Sequence, residues 1–108
     1  MRRLLSVVVS VYNEEEALAQ FYQVTEGILN TISWDYELVF VNDGSRDQSL
    51  SILNRLADSN PKVKVVSFSR NFGHEAAMIA GIDYSQGDGI ICMDADLQHP
   101  PACIPEII

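Results

Sequence analysis

A chain of 108 residues with 47% apolar side chains holds enough material for one modest core and too little for two ordinary domains. Its formal net charge of −8, with seven Lys and Arg scattered along the length, excludes a nucleic-acid backbone as partner, because phosphate tracking needs clustered cations. An acidic chain that handles phosphates is expected to recruit a cation.

The Arg2-Arg3 start followed by Leu4 to Val11 has the outline of a signal peptide, but Tyr12-Asn13-Glu14-Glu15-Glu16 ends the apolar run after eight residues. The segment therefore reads as a cytosolic start and a buried first strand, Leu4 to Ser10. No stretch approaches the roughly 20 apolar residues of a membrane span, which places any membrane attachment outside this sequence. Ala17, Phe21, Val24, Ile28 and Ile32 then recur at steps of three or four, predicting a helix from Glu14 to about Thr31 with Asn13 as N-cap. Tyr36 to Val41 is the second strand. A second helix follows Asp47, with Leu50, Leu53, Leu56 and Ala57 on one face, and Asn60-Pro61 stops it. Val63 to Phe68 is the third strand. The third helix spans His74 to Tyr84, and its small face of Ala76, Ala77, Ala80 and Gly81 permits close approach to a sheet or a ligand. Gly89 to Met93 is the fourth strand, and Cys92 within it is expected to be a buried, reduced thiol; Cys92 and Cys103 lack metal-type spacing, and a reducing compartment follows.

The four strands are short and rich in Val, Ile and Phe, as strands buried on both faces are. Alternation of strand and helix without repeat or linker predicts one α/β unit, a doubly wound and mostly parallel sheet with helices on both faces. In such sheets ligands bind beyond the carboxyl ends of the strands, and here each strand ends in a polar cluster. These clusters are Tyr12-Asn13-Glu14-Glu15, Asn42-Asp43-Gly44-Ser45, Ser69-Arg70-Asn71-Phe72-Gly73-His74 and Asp94-Ala95-Asp96-Leu97-Gln98. Asp43 can accept an N–H from a base edge, and Glu14 or Glu15 can bond a base or a ribose hydroxyl. Taken singly, Asn-Asp-Gly-Ser is also ordinary turn chemistry, with Ser45 or Asp47 free to cap the next helix, and Glu14 to Glu16 also suit a first helical turn. Arg70 either supports a diphosphate or pairs with Asp43 or Asp94. His74 reads as a cap or solvent-facing residue, and His99, before Pro100, as a loop residue.

The fourth cluster is the most specific. In an extended segment alternate side chains share a face, so Asp94, Asp96 and Gln98 project to one side with neighbours roughly 6 to 7 Å apart. Carboxylate and amide oxygens suit Mg²⁺ or Mn²⁺, and Mg²⁺ commonly completes its shell with substrate phosphates.

Ser6-Val7-Val8-Val9-Ser10-Val11-Tyr12-Asn13-Glu14, Val41-Asn42-Asp43-Gly44-Ser45, Arg70-Asn71-Phe72-Gly73 and Met93-Asp94-Ala95-Asp96-Leu97-Gln98-His99-Pro100-Pro101 together resemble family 2 of the inverting GT-A glycosyltransferases. The run Asp-Ala-Asp-Leu-Gln-His-Pro-Pro is most similar to the polyprenyl-phosphate branch, which includes dolichyl-phosphate mannose synthases and bactoprenol glucosyltransferases. Two departures stand out: Ser10 occupies a position where the family commonly has Pro, and Asn42 replaces an Asp seen in many members. The resemblance implies a nucleotide-sugar donor, guessed as UDP-glucose, and a polyprenyl phosphate acceptor at the cytoplasmic face of a membrane. It implies that Tyr12, Glu14 and Asp43 surround the base and ribose. By the same token Asp94, Asp96 and Gln98 surround the divalent cation and the donor diphosphate. It further implies that residues 1 to 108 are the nucleotide-sugar-binding N-terminal part of a longer catalytic domain. Acceptor-side and catalytic residues then lie elsewhere, the piece alone is inactive, and its exposed apolar surface invites self-association.

Other readings fit less well. A dinucleotide dehydrogenase needs Gly-x-Gly-x-x-Gly where Ser10-Val11-Tyr12-Asn13-Glu14-Glu15 stands. An aspartate-based phosphatase carries its Asp-x-Asp after the first strand, not the fourth. A nucleotidyltransferase usually brings a Gly-rich loop and a Lys near the first strand. A non-catalytic nucleotide-binding or assembly module remains as the alternative from a different class.

Overall fold

The computed structural model describes residues 3–95. Within them strands and helices alternate: β1 (Leu4–Val11), α1 (Leu18–Leu29), β2 (Asp35–Asn42), α2 (Ser49–Ser59), β3 (Val63–Ser67), α3 (His74–Tyr84) and β4 (Gly89–Asp94). The strands form one parallel sheet in the order β3-β2-β1-β4. The expected α/β architecture is present. The chain steps outward from β1 to β3 and then returns to place β4 on the other side of β1, so strand order reverses between β1 and β4. In open α/β sheets that reversal opens a crevice beyond the strand ends.

The apolar runs become strands because alternate residues find a helix on each side. On one face Leu5, Val7, Val9, Leu38 and Phe40 pack with Leu18, Phe21 and Leu29 of α1 and Leu53 of α2. Phe21 meets Phe40 edge to face, with centroids 6.4 Å apart. On the other face Val8, Val39 and Val41 pack against Ala77 of α3. Each fully buried Leu or Phe contributes about 1.5–3 kcal/mol through the water it sheds. The small face of α3 serves close packing. A Cβ on Gly81 would overlap Val8 Cγ1 and press on Val41 Cγ2, so the absence of a side chain is what lets this helix sit against β1 and β2.

The far end of the sheet is fastened by a buried carboxylate. Glu37 Oε2 accepts a hydrogen bond from the Ser6 hydroxyl at 2.6 Å and from the Gln86 N–H at 2.7 Å. Gly87 N–H donates to Ser6 Oγ, and Leu4 N–H to Asp88 Oδ2. The α3–β4 connection is thereby tied to β1 and β2.

Two expectations are corrected. Helix α1 begins at Leu18, with Ala17 at the N-cap position and no side-chain cap, not at Glu14 behind an Asn13 cap. Asn13 has φ 53°, outside helical space, and the Asn13, Glu14 and Glu15 N–H groups donate to side chains of the β2–α2 loop. The chain turns before it coils. Strand β4 is one edge of the described sheet, opposite β3, and is not buried on both faces: Ile90 is 42% exposed and Cys92 is a free, exposed thiol. The cause is that α3 lies over β1 and β2, leaving the same face of β4 uncovered.

Candidate functional site

The crevice at the reversal is a real cleft. Ser10, Tyr12, Glu14, Asp43, Asn71, Gly73, His74 and Asp94 line a cavity of about 380 Å³. The lining comes from the carboxyl ends of β1, β2 and β4 and from the start of α3. Register explains part of it, since Ser10 stands directly beside Asp94 across the β1–β4 pair. Of the residues expected on the nucleotide side, Tyr12, Glu14, Asp43 and Asp94 line this cavity together.

Asp43 follows β2 and is only 2% exposed. Its carboxylate is held by the β3–α3 loop. Oδ1 accepts the Phe72 N–H at 2.8 Å, while Oδ2 accepts the Gly73 N–H at 3.0 Å and the Asn71 side-chain amide at 3.0 Å. Asn71 also donates to the Asp43 carbonyl. The loop can approach because Gly44, at φ 71°, has no Cβ; one there would overlap the Arg70 and Asn71 backbone. Asn42 completes the turn, accepting the Ser45 N–H on its side-chain oxygen and donating to Ser67 Oγ. A burial-costly charge is thus compensated by directed donors.

Asp94 ends β4, and its Oδ1 lies 3.2 Å from His74 Nδ1; the two side chains are 33% and 56% exposed. The partners expected of Arg70 are therefore otherwise engaged: Asp43 is bonded by Asn71, Phe72 and Gly73, and Asp94 by His74. The Arg70 guanidinium stacks over the Phe72 ring at 4.7 Å. It lines an adjoining cleft of about 460 Å³, with Arg46, Ser45, Ser69 and Phe68, that shares Tyr12 and Asn71 with the first. Asp96 and Gln98, expected around the cation, lie outside the described residues, as do His99, expected in a loop, and Cys103. Among the described residues no group of three His, Cys, Asp or Glu is placed to hold a metal ion. None of their helices is long and apolar enough to cross a membrane.

Ser10, Asn71, Gly73 and His74 were not singled out for the site from the sequence. The signal for His74 was its position as first residue of a helix that starts at the sheet's carboxyl edge. The signal for Ser10 was its register with the strand that carries Asp94.

A parallel sheet with this strand order and an acidic cleft at its reversal is the core of a GT-A glycosyltransferase fold. Mannosyltransferase PcManGT from Pyrobaculum calidifontis, in complex with GDP-Man and Mn²⁺, superimposes with a TM-score of 0.77 at 22% identity, covering 89% of this chain and 28% of that one. S. aureus TarS 1-349 in complex with UDP-GlcNAc superimposes with a TM-score of 0.75 at 24% identity over 98% of this chain and 32% of that one. The glycosyl transferase family 2 profile matches residues 6–108, and the chain belongs to that family. It is 50% identical over 103 residues to the uncharacterized glycosyltransferase YkcC of Bacillus subtilis (strain 168), covering 95% of this chain and 32% of the relative. The prophage bactoprenol glucosyl transferase homolog of Escherichia coli (strain K12) is 49% identical over 104 residues, 96% of this chain and 34% of that protein. The bactoprenol glucosyl transferase of Shigella phage SfV is 47% identical over the same shares. The chain spans about a third of the length of these curated relatives.

Proposed function

We propose that this chain forms the donor side of an inverting glycosyltransferase that moves a sugar, glucose by likeness to its named relatives, from a uridine diphosphate donor to a polyprenyl phosphate. The observation that carries the proposal is the convergence of Tyr12, Glu14, Asp43 and Asp94 on one cleft at the strand-order reversal of a family 2 chain. Identity near 47–49% to bactoprenol glucosyl transferases supports the lipid phosphate acceptor.

Tyr12, Glu14 and Asp43 hold the base and ribose in this reading, and Arg70 borders them from the adjoining cleft. The hydrogen-bond census of Asp43 supports uridine. An ionised carboxylate has about four acceptor positions. Among the described residues, donors fill both positions on Oδ2 and one on Oδ1, and a single position on Oδ1 is left. Uracil presents one imide N–H to it, whereas guanine presents two adjacent donors that would seek both oxygens.

The donor chemistry at Asp94 fits a hard cation. Mg²⁺ is commonly held by one or two carboxylates plus substrate phosphates, and Asp94 supplies such a carboxylate in the lining of the cleft. Asp96 and Gln98 are proposed to complete the set with Mg²⁺ or Mn²⁺. A bound divalent cation supplies positive charge against the departing diphosphate. His74 meanwhile holds the Asp94 Oδ1 side. The lipid phosphate is already anionic, so its oxygen attacks the anomeric carbon without needing a strong base, and the residues that position it belong to the two-thirds of the relatives' length not matched here.

Titration calorimetry with UDP, GDP and their sugars, with and without Mn²⁺, tests this reading. UDP binding that strengthens at least tenfold with Mn²⁺, and loses that gain in Asp94→Ala and Asp96→Ala, is expected. Silence toward every nucleotide would favour an assembly module. Residues 1 to 108 are expected to transfer no sugar from UDP-glucose to polyprenyl phosphate; turnover by them alone would overturn the division into donor and acceptor sides.

A further inference from the structure

The loop that carries Tyr12 and Glu14 into the cleft leans on its neighbour as well as on its own turn at Glu14. Asn13 between them is the one non-glycine residue with positive φ among the described residues, at 53°. Such a conformation disfavours most side chains and persists where the surroundings hold it. Here a reciprocal set of bonds to the β2–α2 loop does so. The Asn13 N–H donates to Ser45 Oγ at 3.0 Å, and Asn13 Oδ1 accepts the Arg46 N–H at 2.8 Å. Glu14 N–H donates to Ser49 Oγ at 2.9 Å, and Glu15 N–H to Asp47 Oδ2 at 3.2 Å. The two segments are thus sewn edge to edge, and Asn13 is the residue that both donates and accepts across the seam between the two cleft-lining positions Tyr12 and Glu14. On either side of it Tyr12 and Glu14 both line the cavity.

We propose that Asn13 is a positioning residue for nucleotide binding: its side chain latches the β1–α1 loop to the β2–α2 loop and so sets the orientation of Tyr12 and Glu14 toward the base and ribose. The inference rests on the nucleotide reading above and assigns Asn13 no contact with the ligand. The latch has two separable parts. Glycine at position 13 keeps the positive φ without cost and removes only the acceptor for Arg46 N–H; alanine removes the acceptor and disfavours the backbone shape as well. Ser45→Ala takes away the opposite stitch while leaving residue 13 intact.

Calorimetric titration of UDP in Mn²⁺ separates positioning from loss of fold, because it reads affinity and stoichiometry independently. The expected result is a three- to tenfold higher Kd for Asn13→Gly and for Ser45→Ala, and a larger rise for Asn13→Ala, each with stoichiometry still near one. The Asn13→Gly, Ser45→Ala double variant is expected to lose little beyond either single change, since both open the same latch. Parent-like Kd in Asn13→Gly and Asn13→Ala overturns the inference, as does a fall in stoichiometry with Kd unchanged, which marks a purely structural role. If the parent chain itself binds no UDP, the nucleotide reading fails instead, and the inference falls with it.

Discussion

At the scale of single residues, small changes in volume or polarity decide whether the cleft forms. Gly44 combines positive φ with backbone contact to Arg70 and Asn71. Gly44→Ala is expected to cost 2 kcal/mol or more, roughly twice the usual penalty for a non-glycine residue in this region, because both the conformation and the space resist it. Urea denaturation with an unchanged slope reads that loss. Thr25 gives the opposite case. It is fully buried in α1 and its hydroxyl has no hydrogen-bond partner among the described residues. Replacing it with the near-isosteric Val removes an unpaired polar atom, and an increase in stability of about 1 kcal/mol is expected. A destabilised Thr25→Val protein would mean that the hydroxyl is satisfied in solution.

At the scale of elements, the loops matter more than the helices they join. Asp47 illustrates this: burial alone would raise its carboxyl, but bonds from the Ser49 side chain and backbone and from the Glu15 N–H outweigh it and hold the carboxyl below its usual value. A group with a lowered folded value stabilises fully above its unfolded value, near 3.9, and that contribution fades as pH falls through the folded one. Asp47→Ala is therefore expected to lower stability by about 1 kcal/mol at pH 7, as loss of a helix-start acceptor does, and by less at pH 3. Equal losses at both pH values would count against an ionised role. The strands and α3 were legible in the sequence because apolar runs and flanking turn residues mark them; α3 spans His74–Tyr84, as expected. The start of α1 was not legible. Asn13 followed by glutamates has the look of a capped helix, and only the partner loop, more than 30 residues away in sequence, shows that those N–H groups are spent elsewhere. The environment of Asp43 was hidden for a similar reason. Two of its donors are backbone N–H groups, which leave no trace in residue type.

At the scale of the whole molecule, the uneven covering of the sheet is the dominant fact. Strand β4 was expected to be buried because it is a short apolar run like the other strands, but apolar composition does not say which strands a helix will lie across. Ile79 (60%), Ile82 (42%) and Ile90 (42%) are left exposed on α3 and β4. Isolated apolar residues on a surface are normal, whereas an exposed isoleucine on an edge strand such as β4 favours contact with another surface. Ile79→Lys with Ile90→Lys is expected to reduce any concentration-dependent association in sedimentation measurements while leaving the thermal midpoint within a few degrees. Unaltered association would place the contact elsewhere. The two ends of the sheet differ as well. At the end remote from the cleft, Ser6, Glu37, Gln86 and Gly87 form a closed set of bonds around a carboxylate that is 7% exposed. That end is a fixed abutment, so any adjustment to an incoming ligand must be taken up by the loops at the other, as a clamped reed bends only at its free tip. Amide exchange should register the asymmetry as ligand-insensitive turnover at Gln86 and Gly87 and turnover that slows on ligand binding at Asn13 and Phe72.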